Sequence, residues 1–236
     1  MMKDTNIENI NRLIIVSALI ILAGAMLSGP VSTGLLMIFK PQPKWHDAAT
    51  FIQNYHWMQT IPFLLGFILM LGSCMLVVTS ARSAREETHR IMCNLALIAV
   101  TVYSALISLN YIIQTAYVPM LVKTDQEFVG YLTMANPSSL CWGIEMFGYL
   151  FQGAAFWLLY PVFENGRHYK AVKNFLLINL LLSIGGAVAA CIDIAWVLKP
   201  FGYVMFIVWN LVLVILMILV IVNRRNCGRL PDTSAR

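Results

Sequence analysis

The chain has 236 residues, of which 59% are hydrophobic and only 11% charged, with a mean hydropathy of +0.75. Soluble domains carry about 25% charged residues, so this chain cannot clothe a water-facing surface of its size, and lipid is its principal solvent. The net charge of +5 raises nucleic acid as a partner. The basic residues, however, sit at the ends of apolar runs and form no stripe with interleaved aromatics, which excludes that class.

A helix needs about 20 apolar residues to cross the hydrocarbon core. Six stretches qualify: Leu13–Ile38, Ile61–Ser80, Ile91–Tyr117, Leu140–Phe163, Phe175–Leu198 and Phe201–Val222. The expectation is an all-α polytopic membrane protein with six transmembrane helices and a single transmembrane domain over residues 1–236. The first stretch contains Gly29-Pro30, which predicts a kink or break there. Its beginning also imitates a secretory signal, with Lys3 and Arg12 ahead of an apolar run and Ala23-Gly24-Ala25 as the small-residue site. Apolar character resumes through Leu35-Leu36-Met37-Ile38, which favours an uncleaved span.

Between the first and second spans, residues 39–60 are rich in aromatics, and Asp47 is placed to cap a helix. A short helix lying in the membrane interface is expected here. Thr60 and Pro62 then mark a fresh helix start. Between the third and fourth spans, Val118–Ser139 contains Lys123-Thr124-Asp125-Gln126-Glu127 and Asn136-Pro137 and reads as a capped loop. Only Leu198-Lys199-Pro200-Phe201 separates the last two spans, which predicts an antiparallel hairpin. Three helices followed by three more would suit an inverted repeat, but the halves show no self-similarity.

Lys and Arg divide unevenly between the two sets of span ends. One set holds Lys3, Arg12, Arg82, Arg85, Arg90, Arg167, Lys170, Lys173, Arg224, Arg225, Arg229 and Arg236; the other holds Lys40, Lys44, Lys123 and Lys199. The positive-inside rule makes the first set cytoplasmic. Both termini are then cytoplasmic, and the cytoplasmic membrane is the expected location. The loop with Arg82, Arg85, Glu86, Glu87 and Arg90 is explained by topology and lipid-headgroup contact.

Cys74, Cys93, Cys141, Cys191 and Cys227 show no metal spacing, and those in apolar segments read as small hydrophobes. The sequence has no HExxH, P-loop or GxGxxG motif. No cofactor or metal is therefore expected; His46 and His56 lie outside, while His89 and His168 lie on the opposite side.

Glu145 and Asp193 are the acidic residues that fall well inside apolar spans. Such groups face protein or water and mark functional candidates. Each lies about five residues, or roughly 8 Å, from the outer end of its span. Asn110, Tyr111 and Gln114 end the third span at that level, and His56 and Gln59 lie just above. On the fourth span Glu145, Gly148 and Gln152 share a face. On the fifth, Gly186, Ala190 and Asp193 do so, which points Asp193 toward neighbouring helices. These residues predict an outer-leaflet polar pocket of His56, Asn110, Gln114, Glu145, Gln152 and Asp193. The same residues are compatible with plain helix–helix hydrogen bonding.

A second polar level near the cytoplasm comprises Asn94 and Asn179; Thr101, Ser104 and Ser108 continue the stripe on the third span toward the outer level, and Asn210 sits mid-span on the sixth, so that together they read as a conduction track or a helix seam. Three functional classes follow. The leading one is a non-enzymatic protein that binds or moves a small solute through the pocket. The others are a membrane-embedded enzyme acting on a lipid through Glu145, Asp193 and His56, and an accessory or scaffolding subunit. Membrane lipids are the expected partners in every case. In size and organisation the chain is similar to several families of small bacterial multi-pass proteins without an assigned activity, and no motif ties it to one of them.

Overall fold

The computed structural model describes residues 2–84, 86–124, 126–164 and 166–226. The readings on Arg85, Asp125, Cys227, Arg229 and Arg236 lie outside these residues, as does the side chain of Lys3. Among the described residues helices are the only regular elements, without a strand. Five helices are long and apolar enough to cross a membrane: Glu8–Phe39, Trp57–Ala81, Glu87–Thr124, Tyr169–Ile192 and Pro200–Arg225.

The first runs as α1 (Met2–Met26), a π-helical turn (Leu27–Val31) and α2 (Ser32–Phe39). The expected disruption falls on Pro30, which has no N–H to donate to the preceding turn. The helix answers by winding wider over five residues instead of breaking. The short helix after the first span is α3 (Ala48–Gln53). Asp47 caps it, accepting a hydrogen bond from the Thr50 backbone N–H at 2.7 Å. A 3₁₀ turn, Trp57–Thr60, then leads into α4 (Ile61–Ala81), with Pro62 in its first turn.

Helix α5 (Glu87–Ile112) continues through a second π turn (Ile113–Tyr117) into α6 (Val118–Thr124). The continuous segment of 38 residues is about 57 Å long, well beyond the hydrocarbon core. The expected loop Val118–Ser139 is thus mostly helical, with α7 (Gln126–Leu132) following α6. The reason is tertiary: Val118, Leu121 and Val129 bury against Phe51 of α3 in a small apolar cluster of their own. The two connections fold on each other and cap one end of the molecule.

The fourth apolar stretch forms α8 (Leu140–Trp157). Glu145 and Gln152 make it too polar to join the five spans by composition. After α9 (Tyr169–Ile192) the chain does not run straight to Leu198: the helix stops at Asp193, a 3₁₀ turn covers Ile194–Leu198, and α10 (Pro200–Asn226) follows.

The six long helices pack in a closed ring in chain order: α1 on α4, α4 on α5, α5 on α8, α8 on α9, α9 on α10, and α10 back on α1. Small residues set the closest approaches. A Cβ on Gly24 of α1 would stand 2.3 Å from the backbone nitrogen of Leu69 on α4. Around the outside, large apolar side chains such as Ile98, Leu181, Ile207 and Leu211 are more than half exposed. Helices apolar on both faces need lipid as their outer solvent. At the end opposite the cap, Asn223 fastens the α8–α9 connection to α10. It accepts from His168 N–H at 3.1 Å and donates to the Phe163 carbonyl at 3.2 Å.

The Asp47 cap yields a pH signature. Hydrogen bonds from the Thr50 backbone and from His46 lower its carboxyl from the ordinary 3.8 to about 2. A carboxylate whose folded value is depressed stabilises the fold above its unfolded value, and that contribution is lost as the pH falls through the folded one. The amide-exchange protection factors of residues 50–53, which divide out the intrinsic pH dependence of exchange, are therefore expected to hold down to about pH 4 and to fall as the pH drops toward 2. Asp47→Ala should show low protection factors at every pH; equal protection in the variant would count against the cap.

Candidate functional site

Glu145 lies on α8, one and a half turns below its start at Leu140, and is only 6% exposed. Its carboxylate takes two neutral donors: the Asn110 side-chain amide at 2.9 Å and the Tyr149 hydroxyl at 2.8 Å. Tyr149 is one helical turn along α8, and Asn110 comes from α5. Among the described residues no Lys, Arg or His forms an ion pair with Glu145. This is a buried acid held by hydrogen bonds alone.

Beside it opens a cavity of about 320 Å³ at the capped end of the ring. Its wall includes Glu145, Tyr149, Tyr111, Gln114, Trp142 and Trp209, with Phe51 and Tyr55 from the α3 region. Both π turns border it, through Ser28 and Gly29 on one side and Gln114 on the other. π turns of this kind recur at functional sites. A smaller cavity of about 180 Å³ lies alongside, lined by Gly185, Gly186 and Trp196 among others. Tyr149, Phe206 and Trp209 line both, so the Tyr149–Trp209 pair, with ring centroids 4.7 Å apart, stands between the two spaces.

Gln114 holds the roof. Its amide N–H donates to the Leu132 carbonyl at 2.7 Å, and its oxygen accepts from Met134 N–H at 3.1 Å. Trp142 adds an indole N–H to the Met134 carbonyl at 3.0 Å. The segment between α7 and α8 is thereby pinned over Glu145. Asn136 shapes its exit, donating to the Gly130 carbonyl at 2.7 Å and accepting from Ser138 N–H at 2.9 Å.

Gln152 sits further down the same face of α8, fully buried, donating to Ser73 of α4 at 2.9 Å and to Tyr103 of α5 at 3.2 Å. It is a strut across the ring and does not line the cavity. Of the six residues expected in one pocket, then, Asn110, Gln114 and Glu145 are brought together, with Gln152 beneath them.

Asp193 and His56 are placed elsewhere. Asp193 ends α9 instead of continuing it: its carboxylate accepts from Ala195 N–H at 3.0 Å and pairs with Lys199. The side chain is 42% exposed, and the Lys199 ammonium holds its carboxyl below the ordinary range. The helical-face argument for Asp193 fails because the helix has already stopped. The His56 ring accepts from Met58 N–H at 3.2 Å, as the cap of the 3₁₀ turn before α4. Neither lines the cavity.

The polar stripe on α5 bonds mostly to its own helix, with Ser108 reaching across to α4. Thr101 and Ser104 donate to the Leu97 and Thr101 carbonyls, and Ser108 meets the Met70 sulfur at 3.1 Å. Asn210 likewise donates to its own helix, at the Phe206 carbonyl. What the sequence reading missed is the aromatic wall: Trp142, Phe206 and Trp209 read as ordinary apolar or interfacial side chains, and only the ring packing aims them at one space. No known protein-family model, curated protein or solved structure gives a significant match to this chain.

Proposed function

We propose that this protein is a six-span protein of the cytoplasmic membrane, with both termini inside, that binds a small solute in the cavity beside Glu145 and moves or senses it. The observation that carries this reading is a buried acid without an ion-pair partner among the described residues, on the wall of a cavity of about 320 Å³. Buried acids inside membrane helices are rare and mark solute or proton pathways. The volume is at the low end of the roughly 300–1,000 Å³ found for small-molecule sites. The Lys and Arg distribution supports the orientation, and α8 supports a sixth span by its place in the helix ring.

The test uses full-length protein in lipid nanodiscs and a broad panel of small solutes. At least one solute is expected to raise the unfolding temperature of the wild type. Gly29→Phe is expected to reduce that response, because a side chain at Gly29 begins in open space at the cavity wall. A panel without a single stabilising solute, or a response untouched by Gly29→Phe, would defeat the reading. Impermeant labelling of single introduced cysteines checks the orientation. Positions near Lys44 and Lys199 should react from outside and positions near Arg82 and Arg167 should not.

A further inference from the structure

We infer that the ligand class of this cavity is an organic cation: a quaternary ammonium or a protonated amine with an apolar body. The inference deepens the solute-binding reading and rests on it. Three features of the site point the same way.

The first is charge. Among the described residues Glu145 is the single carboxylic acid on the wall, and no Lys, Arg or His lines the cavity. An anionic ligand would meet an acid and, among the described residues, no cation to answer it. A buried carboxylate is costly to hold without a compensating charge. Asn110 and Tyr149 supply dipoles and no charge, so a cation in the cavity supplies the missing term.

The second is the wall. The rings of Tyr111, Trp142, Tyr149 and Trp209 surround the space, and aromatic faces attract cations, most strongly when water is excluded. Tyr111, Tyr149 and Trp209 are each less than 10% exposed, which is the desolvated condition under which this attraction is largest.

The third is the scarcity of charged oxygen ligands among the described residues, since the other side-chain oxygens of the wall, such as those of Thr60 and Asn210, are neutral. Small metal cations take about six or more oxygens, whereas this wall offers one carboxylate already bonded to two donors and a surface that is mostly carbon. A cation whose own shell is methyl or methylene suits such a wall.

The test uses wild-type protein in nanodiscs and three named probes of similar size: benzyltrimethylammonium, its neutral isostere neopentylbenzene, and benzoate. Tryptophan emission reports binding, since Trp142 and Trp209 are two of the six tryptophans and line the cavity. Benzyltrimethylammonium is expected to bind about tenfold or more tightly than either other probe. Glu145→Gln should remove that preference while leaving the isostere unchanged. Trp209→Leu should weaken the cation more than the isostere, and it serves if Glu145→Gln does not fold. Equal binding of cation and isostere to the wild type overturns the cation assignment but leaves a solute-binding cavity standing. Preference for benzoate overturns it too. Failure of all three probes overturns it as well, and the solute reading then stands or falls by the broad panel.

Discussion

Glu145→Ala should destabilise the protein by about 2–4 kcal/mol, and Glu145→Gln by no more than about 1 kcal/mol, on the scale of buried hydrogen bonds left unmade. Alanine removes both acceptors at once. The Asn110 amide and the Tyr149 hydroxyl, each bonded to the carboxylate and each buried, are left facing one another across an enlarged void. Glutamine keeps an oxygen for Tyr149. Its new amide also finds an acceptor if Asn110 turns over, because the Asn110 side-chain oxygen has no partner among the described residues. Chemical unfolding of both variants in the same detergent measures the difference. Equal losses would mean that Glu145 is not held by these two donors. Comparable losses would also remove the basis for using Glu145→Gln as a folded, charge-free probe of binding.

Gly24→Leu should be at least as damaging, with a loss of about 3 kcal/mol or more, at the upper end of overpacking costs. The first added carbon would lie 2.3 Å from Leu69 N and 2.6 Å from Leu69 Cα. These are backbone atoms that cannot swing aside, so α1 and α4 must separate and the ring must open at that seam. Gly34→Ala provides the contrast. An added carbon at Gly34 meets nothing within 4 Å, and alanine in a helix is favoured over glycine by about 0.5–1 kcal/mol. Thermal unfolding of the pair should therefore move in opposite directions. A Gly24 variant as stable as Gly34→Ala would show that the α1–α4 crossing is looser than its geometry implies.

The site was only partly legible in the residues themselves: Glu145 and Gln114 line the cavity, and Asn110 stands behind its wall, bonded to Glu145. Glu145, Asn110 and Gln114 stood out because polar groups are rare and costly in apolar helices, and counting from helix ends was enough to place them at one level. The same counting misled at Asp193. It assumed that α9 ran on to Leu198, whereas the chain leaves the helix at Asp193 and uses that carboxylate to cap the next turn and pair with Lys199. A polar residue near a span end serves equally well as a buried partner or as a terminator, and spacing does not separate the two. Val118–Ser139 misled for a related reason. Its charged and turn-forming residues describe a solvated loop, but the apolar residues among them, Val118, Leu121 and Val129, find Phe51 of a distant connection.

Sequence alone determined the helical class, the apolar runs and their disruption at Pro30, the Asp47 cap and the restart at Thr60. Each of these depends on local chemistry: missing N–H groups, capping oxygens and a shortage of charge. Tertiary structure alone decided which aromatic rings pack together, that a second π turn borders the same cavity as the first, and that Glu145 has Tyr149, Tyr111, Trp142 and Trp209 for company. Those depend on which helices become neighbours and how closely Gly24 lets two of them approach. Such distances arise between residues far apart in the chain, and no window of sequence contains them.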